Sequence, residues 1–317
     1  MEKASFREAF GKSLVEVGTA NPNVVVLVAD VSSSVMTNYF AEEFPERFFN
    51  VGIQEAGMVD VAVGFALAGM IPFVNTFAGL FLRTMEQIRT CVAYAKTNVK
   101  LVGGYSGVSD FKDGPTHHSI VDIAIMRAMP DLVVIGPADA TEVKKILPLV
   151  AEYDGPVYMR ISRADTPLVF DEDYKVEIGK GVVVQNGDDL TLIGNGVMLF
   201  RCLEAAKILA KEGVSCRVIN IHTVKPLDIS LLQQAAEETG AIVSAEEHSI
   251  IGGLGSAVAE ALGNMCPVPL ERVGIADRFA ETGPDFESLL DAYGMGIEDI
   301  VDAVKRVLHR KEKPEID

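Results

Sequence analysis

Positive charge is scarce in this sequence. Its 28 Lys and Arg stand against 45 Asp and Glu, a formal net charge of −17. Nucleic acids and anionic membranes are both bound through basic surface, so neither is an expected partner. A phosphorylated substrate would have to be held by a few local cations against an unfavourable overall field. Cysteine is also sparse. Cys91, Cys202, Cys216 and Cys266 lie far apart with no C-x-x-C spacing, which argues against a zinc or redox centre and reads as free cytoplasmic thiols. No metal ligand is expected in this chain. Long apolar runs are missing too. The most membrane-like stretch, Val61 to Val74, is broken by glycine and Pro72 and is too short to span a bilayer. It reads as a buried helix followed by a buried strand. The opening "MEKASFREAF" alternates charge with apolar residues and is no secretory signal. There is no Walker loop, nucleophile elbow or H-E-x-x-H. The stretches "GNGVML" (194–199) and "GGLGSAV" (252–258) lack the third spaced glycine of a dinucleotide fingerprint.

The sequence does contain 317 residues, 49% of them hydrophobic. A chain of that length favours two domains and can bury about three-quarters of its unfolded surface. Short β-branched runs alternate with helical patterns. Strands are expected at 24–30, 71–76, 99–104, 132–137 and 156–162, with helices near 5–19, 55–70, 82–96, 119–129 and 138–152. Apolar strands alternating with helices predict a mostly parallel sheet covered on both faces. The Pro- and charge-marked segment "TPLVFDEDYKVEIGKG" (166–181) reads as a crossing linker. After it, strands are expected near 190–195, 215–221, 241–247 and 270–275, with helices near 197–212, 228–239, 253–263 and 297–309. The fold class is therefore α/β, two consecutive α/β domains, 1–177 and 178–317.

Ligands of open parallel sheets bind beyond the carboxyl ends of the strands. That rule selects Asp30 with Ser32, Ser33 and Ser34; Gln54 and Glu55; Asn75, Thr76 and Phe77; Tyr105 to His118; and Arg160 with Arg163. The serines also suit a helix cap, and Glu55 suits the dipole of the helix it opens. Phe77 suits a core, the arginines a surface, and His248 either a structural role or a partner. "KDGPTHHS" (112–119) is harder to read structurally, because it sets two of the chain's five histidines on a Gly-Pro turn beside an Asp.

Longer motifs carry a resemblance. "DGPTHHSIVDIAIMRAMPDLVVIGPADATE" (113–142) resembles the pyrimidine-binding half of transketolases and of 1-deoxyxylulose-5-phosphate synthases. "NVGIQEAGMVDVAVGFALAG" (50–69) resembles their catalytic-glutamate segment, and "VNTFAGLFLRTMEQIR" (74–89) their aromatic cofactor pocket. "NIHTVKPLD" (220–228) and "EEHSIIGGLGSAVAEAL" (246–262) are similar to their C-terminal domain. Whole enzymes of this family carry a preceding half that binds thiamine diphosphate through Mg²⁺ with a Gly-Asp-Gly segment, which this sequence lacks. The resemblance thus implies the C-terminal subunit of a split transketolase. Its partner would be an N-terminal subunit supplying the Mg²⁺ ligands, in a self-associating heterotetramer, acting in the cytoplasm on a sugar phosphate.

The resemblance also implies roles. Glu55 would bond N1′ of the cofactor's aminopyrimidine, Phe77 would stack on that ring, and Asp30 and Ile53 would border it. Asp113, His117 and His118 would face the sugar, and Ser34 and Arg163 would hold its phosphate. Imidazole suits proton transfer at sugar oxygens near neutral pH, and a forked guanidinium suits phosphate. The chain departs from the pattern at four positions. Tyr105 replaces a histidine that helps bind phosphate, Lys112 a glutamate, His118 a glutamine, and Ala56 a frequent histidine. These changes imply an altered sugar side and leave Lys112 to supply a missing phosphate contact. A decarboxylating synthase or 2-oxo-acid dehydrogenase subunit, and a non-catalytic homologue, are the alternative readings.

Overall fold

The run VVVLV, Val24–Val28 (β2), is buried at every residue, as expected of a strand covered on both faces. A computed structural model describes residues 2–312 and builds this strand into a seven-stranded sheet. In spatial order the sheet runs Thr223–Lys225 (β12), Val133–Ile135 (β6), Val157–Ile161 (β7), Lys100–Gly104 (β5), Ile71–Phe77 (β4), β2 and Phe48–Asn50 (β3). All its pairings are parallel except that of β12 with β6. A five-stranded sheet follows, in the order Leu270–Ile275 (β14), Ile242–Ser249 (β13), Leu190–Gly194 (β10), Cys216–Asn220 (β11) and Val182–Gln185 (β9). It is parallel except at β9. Helices flank both sheets, so the α/β expectation holds. A two-stranded ribbon pairs Lys3–Ser5 (β1) antiparallel with Asp165–Pro167 (β8), setting Ser5 opposite Asp165.

Helix Phe6–Ala20 packs on helix Ala140–Glu152. Each starts where a side chain accepts an orphan amide: Ser5 from Glu8 N–H, and Asp139 from Glu142 N–H. No described helix is long and apolar enough to cross a membrane.

Two local expectations fail. Residues 82–96 do not form one α-helix. They give a 3₁₀ turn (Ala78–Thr84), a short α turn (Met85–Gln87) and a π-helical stretch (Ile88–Tyr94). Thr84 Oγ1 donates to Phe81 O at 2.8 Å, a local bond that competes with the helical ladder. The wider π turn keeps Ile88 and Val92 in the core. Second, helix Glu55–Leu67 is not buried all round. Only Glu55, Met58, Val59 and Ala62 are buried, while Val61 is 45% and Leu67 77% exposed. Part of "NIHTVKPLD" crosses back as β12 to edge the first sheet, where Lys225 Nζ donates to Arg127 O at 3.1 Å.

Candidate active site

The parallel strands β2, β4, β5 and β7 end on one edge, and the predicted residues follow those ends. Asp30 follows β2 with φ +60, a left-handed conformation that Asp tolerates better than most residues. It exchanges two 3.1 Å bonds with Asn50 at the end of β3: Asp30 N–H donates to Asn50 Oδ1, and Asn50 Nδ2 donates to Asp30 Oδ1. Ile53, three residues on, is 77% exposed. Glu55 opens the next helix with its side chain only 6% exposed. Its Oε1 lies 3.1 Å from Arg83 Nη1, in the turn that directly follows Phe77. Arg83 does not directly follow a strand end, so the strand-end rule does not select it.

Tyr105 centres the rest. Its φ of +58 is a genuine outlier for a bulky residue and costs about 1–3 kcal/mol. The ring is held in place by stacking on Phe77, with centroids 4.1 Å apart. The His117 ring stands 6.0 Å from Phe77 on centroids. Two guanidiniums, Arg7 and Arg163, lie 5.4 Å from the Tyr105 centroid, within cation–π range. Arg7 Nη1 also donates to Tyr105 Oη at 3.2 Å and to Ser34 O at 3.0 Å. Arg7 was not selected from the sequence. Both arginines line a cleft of about 360 Å³ with Lys3, Phe111 and the Asp285–Glu287 turn of the second half.

The "KDGPTHHS" loop separates its histidines. His117 is half-buried, with Nδ1 3.0 Å from Thr116 Oγ1. His118 is buried, and its Nε2 donates to Asp110 O at 3.1 Å. Burial holds the His118 imidazole below its ordinary range, although the Asp110 carbonyl opposes this. His118 is therefore turned into the loop and is not presented on its outer side. Asp113 and Lys112 are exposed, and Lys112 Nζ lies 5.6 Å from the Phe111 centroid. Asp110, which sequence reasoning did not single out, is fully buried 3.1 Å from Arg163 Nη1. Burial and the neighbouring Asp113 raise its pKa, while Arg163 opposes that shift. Arg160 is no surface cation. It is 5% exposed and its Nε donates to Asp122 Oδ2 at 2.7 Å.

This rim fits an aminopyrimidine. A buried carboxylate and an aromatic face stand on adjoining segments, and Thr76 Oγ1, buried at the end of β4, has no hydrogen-bond partner. Among the described residues, no three His, Cys, Asp or Glu side chains cluster in a way that could hold a metal ion.

Comparison with known proteins matches this architecture. Residues 2–168 match the transketolase pyrimidine-binding domain and 179–300 the transketolase C-terminal domain. A 6-deoxy-6-sulfo-D-fructose transketolase subunit of Clostridium sp. is 38% identical over 98% of this chain and 97% of its own. An apulose-4-phosphate transketolase subunit of Phocaeicola vulgatus is 36% identical over 93% of this chain and 94% of its own. A split-gene transketolase, solved as an inactive β4 tetramer, superimposes with a TM-score of 0.91 at 45% identity, covering 97% of this chain and 99% of that one. Domain matches that span most of the chain, together with these full-length relatives, identify it as a member of the thiamine-diphosphate-dependent transketolase family.

Proposed function

We propose that this chain is the C-terminal subunit of a two-subunit transketolase, dividing near residue 178 into a pyrimidine-binding and a C-terminal domain. With an N-terminal subunit it would move a two-carbon ketol unit from a ketose to an aldose. When bound, thiamine diphosphate would supply the carbon nucleophile that carries this unit, and its Mg²⁺ would be held by the partner subunit. Glu55 would bond N1′ of the aminopyrimidine and promote the imino form of the ring. Phe77 would stack on the ring, and Asp30 and Ile53 would border it. His117 would move protons at the sugar oxygens, beside Asp113 and backed by His118.

The observation that carries this reading is the convergence of Arg7 and Arg163, each 5.4 Å from the Tyr105 ring centroid, on the strand-end rim that also carries Glu55. Two guanidiniums in an otherwise acidic protein suit an anionic sugar tail, phosphate or sulfonate. Ser34, Tyr105 and Lys112 would complete that end. Relatives named for a sulfo-sugar and for a sugar phosphate support an anionic tail of either kind. The exposed apolar residues Ile53, Val61, Leu67 and Leu82 suit a large subunit interface. A heterotetramer in the cytoplasm, with cysteines free, completes the proposal.

The test is reconstitution with the N-terminal subunit, screening phosphorylated and sulfonated ketose donors. Ketol transfer should require both chains, cofactor and Mg²⁺. Transfer by this chain alone would overturn the reading.

A further inference from the structure

The second half of the molecule reaches into the loop that carries Asp113 and His117. Glu247, on β13, is 3% exposed, and its Oε1 accepts from Val108 N–H at 2.7 Å. The preceding residue, Gly107, has φ +59, and a Cβ placed there would lie 2.1 Å from Glu247 Cδ and 2.2 Å from Oε1. No side chain could stand at 107 while this carboxyl is in place. Gly107 also closes the loop at its neck. Its N–H donates to Ser119 O at 3.0 Å, and Ser119 N–H returns a bond to Gly107 O at 2.8 Å. Arg160 braces both sides, with Nη2 donating to Ser119 O at 3.1 Å and to Glu247 O at 3.2 Å. Two residues along β13, Ser249 N–H donates to Ile120 O at 2.8 Å. One short stretch of the second half thus holds both strands of the loop's neck.

We infer that Glu247 is a positioning residue for the ketol transfer proposed above. Through Val108 it fixes the neck of the 107–119 loop, and so the places of Asp113 and His117 over the sugar. This rests on the preceding functional reading. Burial pushes the Glu247 carboxyl up to about 8, against the pull of Arg160. At neutral pH it is therefore mainly a neutral acid whose carbonyl oxygen accepts from Val108. A glutamine can do the same, whereas a leucine fills the space and leaves the amide unpaired.

The test compares wild type, Glu247→Gln and Glu247→Leu, each assembled with the N-terminal subunit. In Glu247→Leu, kcat/KM for ketol transfer should fall roughly ten- to a hundredfold. Amide exchange at Val108 should speed up on a similar scale, with thiamine diphosphate affinity unchanged. Glu247→Gln should restore both to within about threefold of wild type. Unchanged Val108 exchange in Glu247→Leu would overturn the positioning role alone. So would faster exchange with unaltered kcat/KM, or a parallel loss of cofactor affinity. A wild-type complex that transfers nothing would overturn the functional reading itself.

Discussion

Glu55 stands in the first turn of its helix, where a carboxylate suits the dipole, and it also reaches away from that helix. Its oxygen is bonded to Arg83 across the rim, and the Gln54 cap of its own helix makes no side-chain cap bond. Arg83 is 60% exposed, so the pair is partly screened and contributes little to stability. Glu55→Gln in the assembled enzyme should therefore leave folding almost untouched while kcat drops by about two to four orders of magnitude, the scale of a lost acid–base group. Exchange of the cofactor's C2 proton checks this directly, and wild-type exchange in the variant would leave Glu55 without a chemical role. The arginines make a different prediction. Arg163 is tied to buried Asp110 and Arg7 to Ser34 and Tyr105, so both are pre-oriented donors. Removing either charged contact costs about 1.5–3 kcal/mol, roughly ten- to a hundredfold. Arg7→Ala and Arg163→Ala should each raise KM for phosphorylated or sulfonated sugars by that factor and barely change it for neutral ones. An equal loss on neutral sugars would assign them to holding the loop.

Helix Glu55–Leu67 is apolar on almost every side yet buries only one, which is the signature of an element awaiting a partner. Val61→Asp with Leu67→Asp should leave the circular dichroism of the chain unchanged, because neither residue is in its core. It should abolish co-elution with the N-terminal subunit. Co-elution at wild-type affinity would move the interface elsewhere. The elements also mark where sequence reasoning succeeds. VVVLV, IPFVNT and LTLIGN are legible as strands because two covered faces demand continuous apolar runs. The helix over 82–96 misled because its apolar spacing fits a π turn as well as an α turn. The run from Val61 reads as a buried helix because apolar composition cannot separate a core from an interface. Arg7 was illegible for a topological reason. The three-residue β1 pairs with β8 so that Ser5 faces Asp165, and the helix that starts at Phe6 then sets Arg7 in the same cleft as Arg163. No motif in a single sequence announces so short a strand.

At the scale of the whole molecule, the two halves are joined by buried polar groups, and one pair has a pH signature of its own. Glu142, from the first half, accepts at Oε1 from Tyr174 Oη and Asn220 Nδ2, both at 2.7 Å, and at Oε2 from Ala138 N–H at 2.6 Å. His222, from the second half, sets Nδ1 3.4 Å from Glu142 Oε1 while its Nε2 donates to Glu177 O at 3.1 Å. Burial pushes Glu142 up to about 7 and His222 down to about 4. Nearby Asp139 is also raised by burial, opposed by the amides bonded to it. Between pH of about 4.5 and 6.5, the folded pair holds one proton on Glu142. The unfolded pair also holds one, on histidine, since its glutamate is ionised. The two linkages cancel, and this joint adds almost no pH slope to stability there. Replacing Glu142 by Gln removes one side of the balance. The depressed His222 then contributes stability that is present above about pH 6.5 and is lost as pH falls toward 4. Glu142→Gln should thus become acid-sensitive relative to wild type, by up to about 1.4 kcal/mol per pH unit between pH 6.5 and 4.5. Urea midpoints measured across that window test it, and Glu142→Gln combined with His222→Gln should flatten the difference again. A single variant whose pH slope parallels wild type would mean that His222 is not held neutral by this joint between the halves.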